Sequence, residues 1–365
     1  MKCLIIVAEK NIKKTDKEYL NDKIQEIKSL VTTLGWKILD TLIVNLRSID
    51  PGFYLTEGKV REIKLLPQTC DAECLVFYNN LSPIHIRNLE REFGKKILTR
   101  VDIILMIFKE HAVSMEAKLQ VELATLQIQL PRIYGIGKEM EQIRGGIGLR
   151  GPGERKTETM KRHIKEKIRT LKSKIEEIKK NRLTQFKGRE KVFNVSIVGY
   201  TNSGKSTLMN VLTKANVPEE DKLFSTLDTK TKKMFIEGIT MTLTDTVGFI
   251  EDLPHQLIES FYSTLEVVKR SSLLLHVVDI SSKFADEKIR VVNEVIREIF
   301  AQDSLKLPEM VYVFNKVDLV SDIRVIEKFS NAYPNSVIIS AKERINIEEL
   351  KSKLKHLAEE FYRNL

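Results

Sequence analysis

Residues Gly199-Tyr-Thr-Asn-Ser-Gly-Lys205-Ser206 have the types and spacing of a phosphate-holding loop, G-x-x-x-x-G-K-[ST]. Glycines let successive backbone N–H groups curl around an anion, and a helix starting there adds partial positive charge. Lys205 can neutralise β- and γ-oxygens, and the Ser206 hydroxyl is a hard oxygen ligand suited to Mg²⁺. The flanks agree: Val192 to Val198 reads as a buried strand, and Ser206 to Thr213 as the first turns of a helix. The expected nucleotide contacts are Gly199, Tyr200, Thr201, Asn202, Ser203, Gly204, Lys205, Ser206 and Thr207.

Three more short motifs follow in order, each after an apolar strand. Asp245-Thr-Val-Gly248 follows Met241 to Thr244, where a nucleotide switch needs a carboxylate near Mg²⁺ and a glycine N–H near the γ-phosphate. Asn315-Lys316-Val-Asp318 follows Met310 to Phe314. The Asp318 carboxylate can accept from guanine N1–H and the exocyclic amine together, which adenine cannot match. Ser340-Ala341-Lys342 follows Ser336 to Ile339 and can offer an amide to guanine O6. Each tetrad alone is weak; four in this order predict GTP and GDP as ligands. This half of the chain resembles the translation-factor class of GTP-binding domains.

The likeness narrows further. Leu223-Phe-Ser-Thr226-Leu-Asp228 and Asp245 to Ile250 resemble the switch segments of the HflX family of ribosome-associated GTPases. So do Tyr54 to Val60, Gln120 to Ala124 with Gln129-Leu-Pro131, and Gly145 to Glu154, whose Gly-Pro-Gly-Glu ending is the most specific mark. The resemblance implies catalytic roles for Lys205, Thr226, Asp245 and Gly248. It also implies an Mg²⁺ set of Ser206, Thr226 and Asp245, with Asp245 acting through water. Asn202, fourth in the phosphate loop, stands where potassium-stimulated members of this class carry a K⁺ ligand. Two readings stay open for it: a cation ligand, or a side chain that hydrogen-bonds within its own loop. After Glu154 the chain runs Arg-Lys-Thr-Glu, where the family more often has Thr-Gln-Leu-Glu. It also ends soon after Lys342, so contacts made by the extra C-terminal domain of some members do not carry over.

Mechanism follows from what stands after Gly248. Ras-like domains place there a glutamine that orients the attacking water. Here the residue is Phe249, whose ring neither accepts nor donates a proton. Hydrolysis by the chain alone is therefore expected to be slow, with a catalytic group arriving from a partner or from elsewhere in the chain. The family likeness names the partner as the large ribosomal subunit and its RNA, and the role as splitting or rescue of stalled ribosomes. Two rivals are kept: a ribosome-assembly GTPase, and a nucleotide-sensing RNA-binding module that does not turn over.

The elements expected to carry these loops form three blocks: an α/β docking domain at 1–112, a helical hairpin at 113–184 and a GTPase domain at 192–365. In the first, Leu4 to Val7, Ile38 to Val44 and Cys74 to Phe77 read as strands of a small parallel sheet, with Glu18 to Leu34 and Ile84 to Phe93 as helices. In the second, Leu119, Leu123, Leu126 and Leu130 face Ile164, Ile168, Leu171, Ile175 and Ile178 across an antiparallel seam. The second helix is expected to run about 20–25 residues, or about 30–38 Å. Residues 131–153 hold seven of the chain's 16 glycines and are expected to form a loop between the helices. It is either a disordered connector or a tip that contacts RNA through Arg144, Arg150 and Arg155. The third block alternates strands and helices in the doubly wound manner, entered through a linker at Gln185 to Glu190.

Bulk composition fits these readings. The net charge is +10, and residues 154–191 carry 15 Lys/Arg against 6 Asp/Glu, so +9 of it lies there. Such a stretch is either a solvated helical face or a footprint for phosphate backbones, and the family likeness favours the second. A C-x₃-C pair, Cys70 and Cys74, with no histidine nearby, argues against a disulfide framework or a zinc site. The longest apolar runs are strand-length, so membrane association is not expected. His276 reads as a packed neutral residue. A cytoplasmic, ribosome-associated monomer without DNA specificity is the expectation.

Overall fold

The computed structural model describes residues 1–11, 17–142, 152–186, 192–213, 224, 230–251 and 262–364. The chain divides into two compact units. One comprises Met1–Glu110 with Lys118–Glu176, the other His111–Ala117 with Glu177–Leu365.

The first unit holds strands β1 (Lys2–Lys10), β2 (Lys37–Leu46), β3 (Cys74–Phe77) and β4 (Lys96–Thr99) in the order β2-β1-β3-β4. Every pairing is parallel. Helices α1 (Lys17–Thr33), α2 (Glu57–Lys64), α3 (Pro67–Asp71), α4 (Pro83–Phe93) and α5 (Arg100–His111) connect and extend these strands. Leu4, Ile5, Ile6 and Val7 are all fully buried, as a central parallel strand covered on both faces requires. Helix α4 shows how local chemistry sets element ends. Ser82 caps it by accepting from His85 N–H at 3.2 Å, Pro83 opens it, and Gly94 ends it with φ +64. Strand β4 is an addition to the three strands legible in the sequence. Cys3 and Cys74 lie side by side in register, and burial pushes their thiols up to about 12 and about 11.

Helices α6 (Met115–Gln142) and α7 (Pro152–Phe186) form the hairpin. On the seam, Leu119, Leu123, Ile164, Leu171 and Ile175 are buried, and Lys167 pairs with Glu122 at 2.5 Å. Both helices are longer than the sequence suggested. Helix α6 continues through Pro131, a residue that removes an intrahelical hydrogen bond. The apolar spacing Leu126, Leu130, Ile133 carries on past the proline, and Ile133 is buried. Helix α7 has 35 residues, about 52 Å at 1.5 Å each, and starts on Pro152, a favoured first helical residue. The expected 131–153 loop is thus helical at both ends. The linker expected at Gln185 to Glu190 also begins within α7, and 187–191 lie outside the described residues.

The second unit carries a mixed sheet. Its strands are β5 (Phe193–Gly199), β6 (Lys230–Ile236), β7 (Ile239–Asp245), β8 (Leu273–Asp279), β9 (Glu309–Asn315) and β10 (Ser336–Ile338). The order is β10-β9-β8-β5-β7-β6, parallel throughout except for β6, which runs antiparallel to β7 at the edge. Helices α8 (Lys205–Thr213), α9 (Tyr262–Lys269), α10 (Ala285–Gln302), α11 (Ile323–Ala332) and α12 (Ile347–Arg363) complete it. One core packs Val195, Ile197, Leu243, Leu275, Val311 and Val313 with Leu208 and Met209 of α8 and Leu350 and Leu354 of α12. His276 is buried mid-strand, and burial drops its pKa to about 3, so it is neutral at physiological pH. Strand order reverses at β5, and the carboxyl ends of the parallel strands share one edge. That edge is where an open α/β sheet offers a ligand crevice.

Candidate nucleotide site

Loops after β5, β7, β9 and β10 meet at this edge. Gly199 ends β5; Tyr200, Thr201, Asn202, Ser203 and Gly204 form the turn; Lys205, Ser206 and Thr207 open α8. Gly204 has φ +93, and a Cβ there would collide with Asn315 Nδ2. Asn202 also adopts a left-handed backbone, φ +60, and is exposed.

Lys205 is buried, and its ammonium donates to the carbonyls of Tyr200 at 2.8 Å and Gly199 at 3.2 Å. Burial pulls its pKa down to about 8; Asp245 works against that fall, and the charge of Lys316 adds to it. Ser206 Oγ donates to Asp245 Oδ2 at 2.7 Å, and Asp245 is fully buried at the end of β7. A hydroxyl and a carboxylate, both hard oxygen donors, are thus adjacent at the mouth of the loop. Thr201 Oγ1 and Ser203 Oγ are buried with no hydrogen-bond partner among the described residues. Orphaned buried donors of this kind fit the oxygens of a polyphosphate.

The segment after Asp245 is stitched to the phosphate loop. Thr201 N–H donates to Phe249 O at 2.7 Å, Phe249 N–H donates to Gly199 O at 3.1 Å, and Glu251 N–H donates to the Tyr200 hydroxyl at 3.1 Å. Phe249 itself is buried. Gly248 sits so close that a Cβ would lie 2.9 Å from Thr201 Cα and 3.0 Å from Lys205 Nζ.

Asn315 ties three loops together. Its amide donates to Ser203 O at 2.8 Å and its Oδ1 accepts from Ala341 N–H at 2.9 Å, both buried bonds. Ser340 Oγ accepts from Glu343 N–H at 3.0 Å, which shapes the turn holding Ala341 and Lys342. Lys316 has φ +66, and Asp318 is exposed in the 3₁₀ turn Val317–Leu319. Asn315→Ala strands a buried carbonyl and a buried N–H, at about 2 kcal/mol. The nucleotide-free protein is expected to melt roughly 4–8 °C lower, which differential scanning fluorimetry reads directly; an unchanged melting temperature would show that Asn315 is no strut.

The remaining expected residues stand apart. Thr226, Arg144 and Arg150 lie outside the described residues, and Arg155 is in the first turn of α7. Of the first switch segment, Phe224 is buried with φ +58, its carbonyl 2.8 Å from His111 Nδ1. Asp279 belongs to none of the four motifs, yet its Oδ2 accepts from Lys316 Nζ at 2.8 Å. Its one mark in the sequence is its place at the end of an apolar strand, where the other site loops also begin. Among the described residues no group of three His, Cys, Asp or Glu is arranged to hold a metal, and no helix is long and apolar enough to cross a membrane.

Known proteins are similar to this chain over most of its length. Residues 21–109 match the family described as GTP-binding GTPase N-terminal, 111–189 its middle region, and 194–316 the 50S ribosome-binding GTPase family. The GTPase HflX of Caldanaerobacter subterraneus is 42% identical over 338 residues, covering 92% of this chain and 76% of that protein. The GTPase HflX of Escherichia coli is 38% identical over 333 residues, covering 90% and 77%. A crystal structure of a GTP-binding protein from Sulfolobus solfataricus in complex with GDP superposes with a TM-score of 0.51 at 27% identity, covering 99% of this chain and all of that one. The chain belongs to the HflX family of GTPases.

Proposed function

We propose that this GTPase is a ribosome-binding factor, slow alone and activated by the large ribosomal subunit, that acts in splitting or rescuing stalled ribosomes. The observation that carries the reading is Phe249, buried and bridged through its backbone to the phosphate loop, with no side chain able to orient water. In this reading the loop from Gly199 to Thr207 binds the phosphates of GTP or GDP, and Asn315, Lys316, Asp318, Ser340, Ala341 and Lys342 form the guanine side. Lys205 compensates charge building on the β- and γ-oxygens, and the Gly248 N–H faces the γ-phosphate. Ser206, Asp245 (through water) and Thr226 would hold Mg²⁺, which neutralises phosphate charge when bound. Asn202, exposed and with a left-handed backbone, is taken in this reading as a K⁺ ligand. Retention of Lys205, Ser206 and Asp245 weighs against a module that binds without turnover.

The three-block division assigns docking to 1–112, RNA contact to the hairpin at 113–184 through Arg144, Arg150 and Arg155, and nucleotide chemistry to 192–365. The protein is taken to work as a cytoplasmic, ribosome-associated monomer. Sedimentation through sucrose gradients with a GTP analogue tests this. Large-subunit binding should fall steeply with salt as counterions are displaced. The triple variant Arg144→Ala, Arg150→Ala, Arg155→Ala should lose ribosome binding while keeping GTP affinity. Co-migration with immature particles alone would instead favour the assembly role, and unchanged binding by the variant would remove the tip from the interface.

A further inference from the structure

Asp279 closes β8 and lies opposite Asn315 in the register of β8 with β9. Its two carboxylate oxygens have different work. Oδ1 accepts from Ser281 N–H at 3.0 Å and from Ser281 Oγ at 2.5 Å, which fixes the turn after the strand. Oδ2 accepts from Lys316 Nζ at 2.8 Å, in a pair whose side chains are each 24% exposed. Lys316 is also held from its backbone. Its φ of +66 is a conformation that non-glycine residues adopt at a cost. Hydrogen bonds on either side impose it: Ile280 N–H donates to Asn315 O at 3.2 Å, and Val317 N–H donates to Ile339 O at 3.2 Å.

A lysine fixed at both ends presents its methylene stem as a fixed apolar strip. Two residues on stands the exposed carboxylate of Asp318. The chemistry complementary to an apolar strip beside a carboxylate is a flat heteroaromatic ring with N–H donors on its edge. Resting on the guanine reading of Asn315 to Asp318, the geometry points to Asp279 as a positioning residue for base recognition, anchoring the Lys316 ammonium so that its stem supports the purine. Without the anchor, a flexible lysine side chain must be ordered when the base arrives.

Asp279→Asn separates the two tasks, because the amide keeps an oxygen for Ser281 and turns an N–H₂ donor toward Lys316. Calorimetry on the full chain would compare GDP with inorganic triphosphate, which has phosphates but no base. GDP binding should weaken about tenfold, through faster dissociation, while triphosphate binding holds. Lys316→Met, which keeps the stem and loses the charge, should weaken GDP to a similar extent. The double variant should be no weaker than the weaker single one, as expected of residues acting through one contact. Unchanged GDP affinity in Asp279→Asn, equal losses for GDP and triphosphate, or additive losses in the double variant would each overturn the assignment. The underlying guanine reading fails differently: Asp318→Asn would then leave the preference among purine nucleotides unaltered.

Discussion

Asp318→Asn is expected to lower GDP affinity about a hundredfold and to move the preference to xanthosine diphosphate. In the proposed reading the carboxylate would accept two N–H bonds from guanine, each charge-assisted and worth about 1.5–3 kcal/mol. An amide at the same place donates where the carboxylate accepted, and xanthine offers an oxygen where guanine has its amine. Asp318 is exposed in a short 3₁₀ turn, so the substitution costs little stability and the effect is confined to the base. Asn315, buried and bonded to Ser203 and Ala341, keeps the turn in place in the variant. Competition of GDP, xanthosine diphosphate and ADP for a fluorescent guanine nucleotide measures the exchange of preference. ADP competing as well as GDP against the unmodified protein would refute base recognition by this loop.

Gly248→Ala is expected to remove hydrolysis while leaving GDP binding within a few-fold of normal. The added methyl would lie 2.8 Å from Thr201 Cγ2 and 2.9 Å from Thr201 Cα. The second of these is backbone, so the strain cannot be relieved by a rotamer change. The expected relief is separation of the Phe249 segment from Gly199 and Thr201, which withdraws the Gly248 N–H from the γ-phosphate. Loss of one preorganised donor of this kind costs about 10²–10³ in rate. The base loops are held by Asn315 rather than by Gly248, and so guanine affinity persists. Single-turnover hydrolysis and GDP titration of the same sample separate the two effects; retained turnover would mean that Gly248 does not serve the reaction.

The sequence was most legible where chemistry fixes residue type and spacing together. Gly199 to Ser206, Asp245 to Gly248 and Asn315 to Asp318 are read from side chains, and the fold brings all three to one sheet edge. Apolar runs also announced β1, β3 and the seam of α6 with α7. Legibility failed where local signals conflict with packing. Strand β4 has only Ile97 and Leu98 as apolar residues, between Lys96 and Thr99, and it is completed by pairing with β3 alongside. Pro131 and the glycines after it read as a helix end, yet α6 continues to Gln142, with Ile133 still buried on the seam. The partnership of Asp279 with Lys316 spans 37 positions in sequence and is created by β8 lying beside β9. No local pattern announces such a pair. The stitching of Phe249 to the phosphate loop is made by backbone groups, to which residue type contributes nothing.

With Phe249 leaving it without a water-orienting side chain, this GTPase is expected to wait for the large ribosomal subunit. Single-turnover hydrolysis of GTP by the full chain, with and without purified large subunits, tests that claim most directly, in matched potassium and sodium buffers. The expected rate alone is on the order of 10⁻³ s⁻¹ or slower. Large subunits should raise it by about a hundredfold or more, with potassium ahead of sodium. Fast turnover by the protein alone, or a slow rate that large subunits leave unchanged, would contradict that claim.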